Sequence, residues 1–234
     1  MPRFGVFFVP PARSPFYRLG TSILGYDVRR EQDSHQDNFI RAQLPGFDVD
    51  YVRRPRKHGI HCTILAPQVC RYGDLDSISY DIECSLNYFA ETTTFEIMAA
   101  SDFVTYWGKK QQIAVLKYQA NPSLLILHTL LLSQLVKYIR PETKLPSQEL
   151  LHEYHRKRYF NTPFIFDGFT PHFTLLFPYK GDKHSEMQET LYSLFGQFKK
   201  QVIESICLMV QPDKDAQWTI HHEYQRADYP QMPG

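Results

Sequence analysis

Two short segments, far apart in the chain, repeat one order of residue types: histidine, one further residue, threonine and then aliphatic residues. They are His61-Cys62-Thr63-Ile64-Leu65 and His172-Phe173-Thr174-Leu175-Leu176. Residues i and i+2 of a β-strand share a face, so each segment would present an imidazole beside a hydroxyl. Histidine exchanges a proton near neutral pH, and a hydroxyl donates hydrogen bonds. Two such strands brought together would therefore form a site for acid–base chemistry on a phosphate.

Length and charge limit the kind of protein that carries these segments. The chain has 234 residues, of which 43% are apolar and 15% aromatic, and its net charge is +1. A chain of this length can bury a substantial core, and we expect residues 1–234 to form one domain. A charge near zero gives no overall field to attract a long polyanion, whereas a small anionic substrate can be held by local groups.

The cysteines and the apolar runs indicate a cytoplasmic protein. No Cys-x-x-Cys spacing occurs, so we expect no cysteine-rich zinc site, and a chain this long does not need disulfides. The thiols are therefore expected to be reduced. The apolar runs 4–9 and 124–132 are too short to be a signal segment or a membrane span. They predict a first strand and a mostly buried helix.

Hydrophobic spacing and turn residues predict an alternation of strands and helices. Proline ends both motif strands, at Pro67 and Pro178, and residues 108–110 predict a hairpin turn. The other predicted strands cover residues 3–10, 95–107, 112–119, 202–210 and 217–224. The predicted helices cover residues 14–25, 75–90, 121–140, 147–158 and 186–200, and residues 229–234 are expected to be disordered.

The order of these elements predicts the fold class. Each His-x-Thr strand is followed by a helix and then by two strands that can form a hairpin. We therefore predict an α+β protein with two lobes. Two antiparallel β-sheets with outer helices would surround a central cleft that carries the two motifs.

The motif pair resembles the signature of the two-histidine (2H) phosphoesterase superfamily, in which each of two His-x-Thr/Ser motifs is followed by aliphatic residues. The segments 7–15, 59–65 and 150–174 are more narrowly similar to the branch of that superfamily associated with phosphonate metabolism. The resemblance covers residues 4–177. His58 departs from it, because an aromatic residue is expected there.

The resemblance implies hydrolysis of a cyclic phosphodiester without a metal or another cofactor. His61 and His172 would be catalytic, one as general base and the other as general acid. Thr63 and Thr174 would donate hydrogen bonds to the non-bridging phosphate oxygens. The sequence leaves open which histidine is the base and which ribose oxygen leaves.

Three aromatic residues are candidates for stacking on a nucleobase. Tyr179 follows the second motif and is assigned to substrate binding, and Tyr118 and Trp107 are the other two. Packing in the core or at its rim is the alternative for each of them.

Several other charged and imidazole groups have weaker claims to a role. Residues 53–57 form a basic turn, which either is simply solvated or attracts a phosphate or nucleotide. His58 and His61 are three residues apart, which predicts opposite strand faces and no metal pair. His152 and His155 are expected on the solvated face of a helix.

Three functions fit these observations. The first is an enzyme acting on a cyclic nucleotide or an RNA end, and the second is a hydrolase of a cyclic phosphate formed in phosphonate breakdown. The third is a module that binds a cyclic nucleotide or RNA terminus without turnover. For the first function we expect a small cyclic nucleotide or RNA terminus as the substrate partner. We also expect a monomer with no metal and no membrane contact.

Overall fold

The computed structural model describes residues 2–34, 38–70, 74–89, 92–139 and 165–225. The strands are β1 (Arg3–Phe8), β2 (Tyr26–Asp27), β3 (Gln32–Asp33), β4 (Cys62–Val69), β5 (Glu96–Trp107), β6 (Ile113–Ala120), β7 (His172–Leu176), β8 (Lys200–Val202), β9 (Ser205–Gln211) and β10 (Thr219–Gln225). The α-helices are α1 (Pro15–Leu24), α2 (Asn38–Ala42), α3 (Leu75–Leu86), α4 (Pro122–Leu135) and α5 (His184–Phe195). Short 3₁₀ turns cover Val49–Val52, Pro55–Lys57, Val136–Tyr138 and Phe166–Gly168. The predicted helix at 147–158 and the tail at 229–234 lie outside the described residues.

Eight strands form one antiparallel sheet in the order β10-β9-β1-β4-β7-β6-β5-β8. Its two four-stranded halves meet between the motif strands β4 and β7, where the register pairs Cys62 with Phe173. The α+β class is confirmed, and the two predicted sheets are continuous through this contact. Strands β2 and β3 form a separate two-stranded sheet, which the sequence did not predict.

The hairpins are exchanged between the two halves. The hairpin β5–β6 follows β4 in sequence, but β6 pairs with β7. The strands β9 and β10 follow β7, but they extend the half that contains β1 and β4. The half that contains β4 is therefore built from both ends of the chain, the half that contains β7 from its middle, and neither motif strand has its own hairpin as a neighbour.

The helices α1 and α5 cover the sheet face that carries Cys62 and Phe173. Ser14 caps α1, since its side chain accepts a hydrogen bond from the Tyr17 N–H at 3.0 Å. Phe16 of α1 lies 4.7 Å from Phe173 and 5.5 Å from Phe195 of α5, measured between ring centroids. Fully buried aromatic rings therefore anchor β7 from behind.

Two of the element boundaries that differ from the prediction have a clear structural reason. Helix α5 ends at Phe195 rather than at residue 200, because Lys200–Val202 pairs with β5 as the short strand β8. Strand β4 continues past Pro67 to Val69. Pro67 falls at a register shift between the pairs Val6–Leu65 and Phe4–Gln68, where a proline interrupts no regular ladder.

Among the described residues, no helix combines the length and the apolar character needed to cross a bilayer. The run at 124–132 belongs to α4, and its buried side chains include Leu124, Leu127 and Leu131.

Candidate active site

The two His-x-Thr motifs lie side by side on one face of the sheet. Cys62 and Phe173 are paired across the two strands, and both are fully buried on the helix-covered face. Alternation then places the flanking histidines and threonines on the opposite face, where all four are partly exposed. Because the strands are antiparallel, the register places each motif's histidine next to the other motif's threonine.

Both imidazoles are held in the same way by the backbone. The Nδ1 of His61 lies 2.9 Å from the Gly59 carbonyl oxygen, and the Nδ1 of His172 lies 2.8 Å from the Thr170 carbonyl oxygen. A carbonyl oxygen only accepts, so Nδ1 donates in each ring and a neutral ring has its lone pair on Nε2. Neither Nε2 has a hydrogen-bond partner in the described part of the chain. Each Nε2 is therefore available to exchange a proton with a substrate.

The surroundings of both histidines disfavour the protonated ring. Burial lowers the pKa of His61 to about 4, and the positive charge of His172 adds to this effect, whereas the bond to Gly59 opposes it. Burial also lowers the pKa of His172, against the opposing effect of its bond to Thr170. Both imidazoles therefore favour the neutral form unless a negatively charged ligand is present.

Aromatic rings surround each imidazole. Phe7 of β1 meets His61 edge-on, with ring centroids 5.1 Å apart and planes at 88°. His58 stacks on His61 at 4.9 Å and 28°. The ring centroid of Trp107, at the end of β5, lies 4.5 Å from that of His172. Trp107 is thus the one of the three predicted stacking candidates that contacts a motif histidine.

The prediction that His58 and His61 lie on opposite strand faces is wrong. His58 ends the 3₁₀ turn Pro55–Lys57 and is not part of the strand. Gly59 follows with φ +67°, in the left-handed region, and the rings on either side of it are stacked. The spacing rule failed because it assumed extended backbone at residue 58.

The other two stacking candidates do not face the motif pair. Tyr179 is 3% exposed, and its ring packs against Tyr51, Tyr106 and His184. This burial and these contacts favour packing in the core, which is the alternative to the predicted stacking role. Tyr118 is 1% exposed, and its hydroxyl donates to the Phe198 carbonyl on the helix-covered side.

Lys117 is a residue near the motifs that sequence reasoning missed. It pairs with His172 in the register between β6 and β7, and residues paired in this way share a face. Its Nζ lies 2.9 Å from an Asp102 carboxylate oxygen. No local pattern could have identified it, because the pairing joins residues 55 positions apart in sequence (172 − 117).

Two side chains of the basic turn at residues 53–57 form ion pairs. Arg56 bonds Asp33 at 2.7 Å, and Lys57 lies 3.7 Å from Asp215. The Arg54 guanidinium lies 4.4 Å from the centre of the Phe177 ring, just beyond β7. Arg54 therefore flanks the end of the second motif strand.

A cavity of about 580 Å³ adjoins the other end of that strand. Its lining includes Lys117, Gln119, Thr129, Phe169 and Thr170. Thr170 also supplies the carbonyl that holds His172. Neither motif histidine is part of this lining.

Within the described ranges, no group of three or more His, Cys, Asp or Glu side chains is arranged to hold a metal ion. All four cysteines are free thiols, and three of them are buried. His152 and His155 lie outside the described residues.

No known protein-family model matches the chain, and no curated protein matches it. Solved structures do. The chain is similar to a phosphoesterase. That crystal structure has 11% sequence identity and a TM-score of 0.46, with 96% of this chain and 98% of the other covered.

Two further solved structures are similar over nearly the whole chain. Apo LigT from E. coli has 12% identity and a TM-score of 0.46, and covers 96% of this chain and 98% of its own. Usb1 from Kluyveromyces marxianus has 8% identity and a TM-score of 0.40, with 93% and 97% covered. At these values the function has to be argued from the site itself.

Proposed function

We propose that this protein is a 2H-type phosphoesterase that hydrolyses a cyclic phosphodiester by two-histidine acid–base catalysis. The observation that carries the proposal is the pair of imidazoles on one sheet face, each with Nδ1 held by a backbone carbonyl and with Nε2 available. Binding alone would need neither two proton carriers nor the same tautomer at both.

His61 is the general base in this proposal. An imidazole whose pKa is about 4 is unprotonated near neutral pH, so it can accept a proton there but has none to give. Its Nε2 removes a proton from water while the water oxygen attacks phosphorus.

His172 is then the general acid. The bond from phosphorus to the departing ribose oxygen breaks, and the Nε2–H of His172 protonates that oxygen. The negative charge of the bound phosphate favours the protonated ring that this step requires. Exchange of one proton with solvent returns both histidines to their starting states.

Thr63 and Thr174 donate hydrogen bonds to the non-bridging oxygens, where negative charge grows in the transition state. Each hydroxyl lies next to the opposite motif's histidine, so one phosphate can contact both motifs. Trp107 supports a substrate with a ring that can stack.

The first test is turnover of 2′,3′-cyclic nucleotides, 3′,5′-cyclic nucleotides and cyclic oligonucleotides by the purified protein. We expect a linear phosphomonoester product from at least one class, in buffer that contains EDTA as well as without it. Saturable binding of these compounds without product would instead support the binding module. If the protein neither binds nor hydrolyses any of these compounds, that result would favour a substrate from phosphonate breakdown.

The second test uses single substitutions of the motif histidines. His61→Ala and His172→Ala should each lower kcat by at least about 100-fold, since a general acid or base contributes about 10²- to 10⁴-fold. His221→Ala, at an exposed position of β10, is the matched control and should retain normal turnover. Near-normal kcat in either motif variant would remove that histidine from the mechanism.

A further inference from the structure

His58 lies in a stack of three rings that the proposed reaction does not itself require. One face of its imidazole is against His61, at 4.9 Å and 28°. The other face is against Trp218, at 4.9 Å and 20°. Phe7 closes the edge of the stack, with its ring 5.1 Å from His61 and 5.5 Å from Trp218.

The backbone fixes the outer ring of this stack. Trp218 is fully buried, and its backbone N–H donates to the Lys57 carbonyl, directly before His58, at 2.8 Å. The Trp218 carbonyl accepts a hydrogen bond from the Tyr26 hydroxyl at 3.2 Å. His58 is therefore held between a fixed indole and the imidazole of His61.

His58 is kept uncharged by its surroundings. Burial lowers its pKa well below the usual range, and the charges of His61, Arg3 and Lys57 lower it further, against one bond to the Arg54 backbone. Arg3 also lies over Trp218, with its guanidinium carbon 5.7 Å from the ring centre. Near neutral pH His58 is thus a flat, neutral ring and not a second proton carrier.

We propose that His58 is a positioning residue of the candidate active site: its ring fixes the plane of the His61 imidazole and excludes water from one face of it. This inference rests on the proposed function, in which His61 is the base. It follows that the flat ring of His58, and not its capacity to carry a proton, acts on His61. His58→Phe keeps a flat ring, whereas His58→Ala opens the face of His61 to water.

The test is the pKa of His61, measured by NMR on histidine-labelled protein, with His61→Gln used to assign its signal. In the wild type and in His58→Phe we expect a pKa of about 4. In His58→Ala we expect an upward shift of at least about one unit, toward the ordinary value near 6.5. His221→Ala should leave the pKa of His61 unchanged.

Two results would overturn the positioning role. One is an unchanged pKa of His61 in His58→Ala, and the other is an equal shift in His58→Phe and His58→Ala. If His58→Ala does not fold, His58→Gln gives the same comparison, because it fills much of the space with a polar group that is not aromatic.

The pH profile of turnover provides a second readout. In His58→Ala the acidic limb of kcat/KM should move to higher pH in step with the NMR value, while His58→Phe keeps the wild-type limb. The NMR measurement needs no turnover. A failure to hydrolyse any cyclic phosphodiester would therefore contradict the proposed function. An unchanged pKa of His61 in His58→Ala would contradict the positioning role of His58.

Discussion

The two imidazoles are equivalent in their hydrogen bonding but not in their neighbours. Each Nδ1 donates to the carbonyl of the residue two positions earlier, Gly59 or Thr170. His61 is enclosed by Phe7 and His58, whereas His172 is next to Trp107 and is paired across strands with Lys117. Different surroundings are what an acid–base pair requires, because the two groups must hold opposite protonation states at one pH.

The first residue-scale prediction concerns the pH dependence of kcat/KM, which reports groups in the free enzyme. The base must be neutral, so kcat/KM falls as the pH drops through the pKa of His61, which is about 4. The acid must be protonated, so activity falls as the pH rises through the pKa of His172, which burial places below 6.5. We expect a bell-shaped profile with its maximum at mildly acidic pH.

Initial rates at low substrate concentration, measured from pH 4 to pH 9 in buffers of constant ionic strength, provide this profile. A maximum above pH 7 would contradict the assignment of His61 as base in these surroundings.

At the scale of elements, short connections hold the two motif histidines in place. The turn that ends at Gly59 supplies both the carbonyl for His61 and the ring of His58. His128 of α4 joins the two motif strands from behind. Its Nδ1 donates to the Ile64 carbonyl on β4, and its Nε2 accepts from the Phe166 N–H in the segment that leads to β7.

Gly59 provides an element-scale prediction. Its φ of +67° is costly for other residues, and a Cβ there would lie 2.9 Å from the Val28 Cβ. Gly59→Ala should shift the Gly59 carbonyl away from His61. We expect at least a tenfold loss in kcat and a destabilisation of at least about 1 kcal/mol.

Gly46→Ala is the matched control. Gly46 has φ +62°, but a Cβ there has only Lys183 within 4.0 Å. We expect Gly46→Ala to lower the free energy of unfolding in urea by a similar amount and to keep a normal kcat. Equal kcat in the two variants would show that the Gly59 carbonyl does not position His61.

At the scale of the whole molecule, neutral histidines make stability depend on pH. Burial lowers the pKa of four of them, namely His58, His61, His128 and His172. As the pH is lowered, these rings become protonated near pH 6.5 in the unfolded chain but only at lower pH in the folded protein. Their contribution to the free energy of unfolding is therefore complete above pH 6.5 and is lost as the pH falls toward the folded values.

We expect the free energy of unfolding in urea to decrease between pH 7 and pH 5, by up to about 1.4 kcal/mol per pH unit for each such histidine. His58→Phe removes one of the four groups and should reduce this slope, whereas His221→Ala should not. A stability that is constant over this range would contradict neutral burial of these rings.

The sequence by itself determined the class of the fold, the two motif strands and the side-by-side presentation of each histidine with its threonine. These are local properties, because alternation along a strand and the residues that begin and end helices are set by near neighbours. It also predicted the hairpin β5–β6 from its turn residues, and the structure confirms that hairpin.

The tertiary structure alone decided which strands became neighbours. It exchanged the hairpins between the two halves and paired Lys117 with His172. It also placed His58 between His61 and Trp218, which is far from both in sequence. The burial of Tyr179 likewise depends on Tyr51 and Tyr106, which are far from it in sequence. Such contacts are selected by the packing of the whole chain, so no local spacing encodes them.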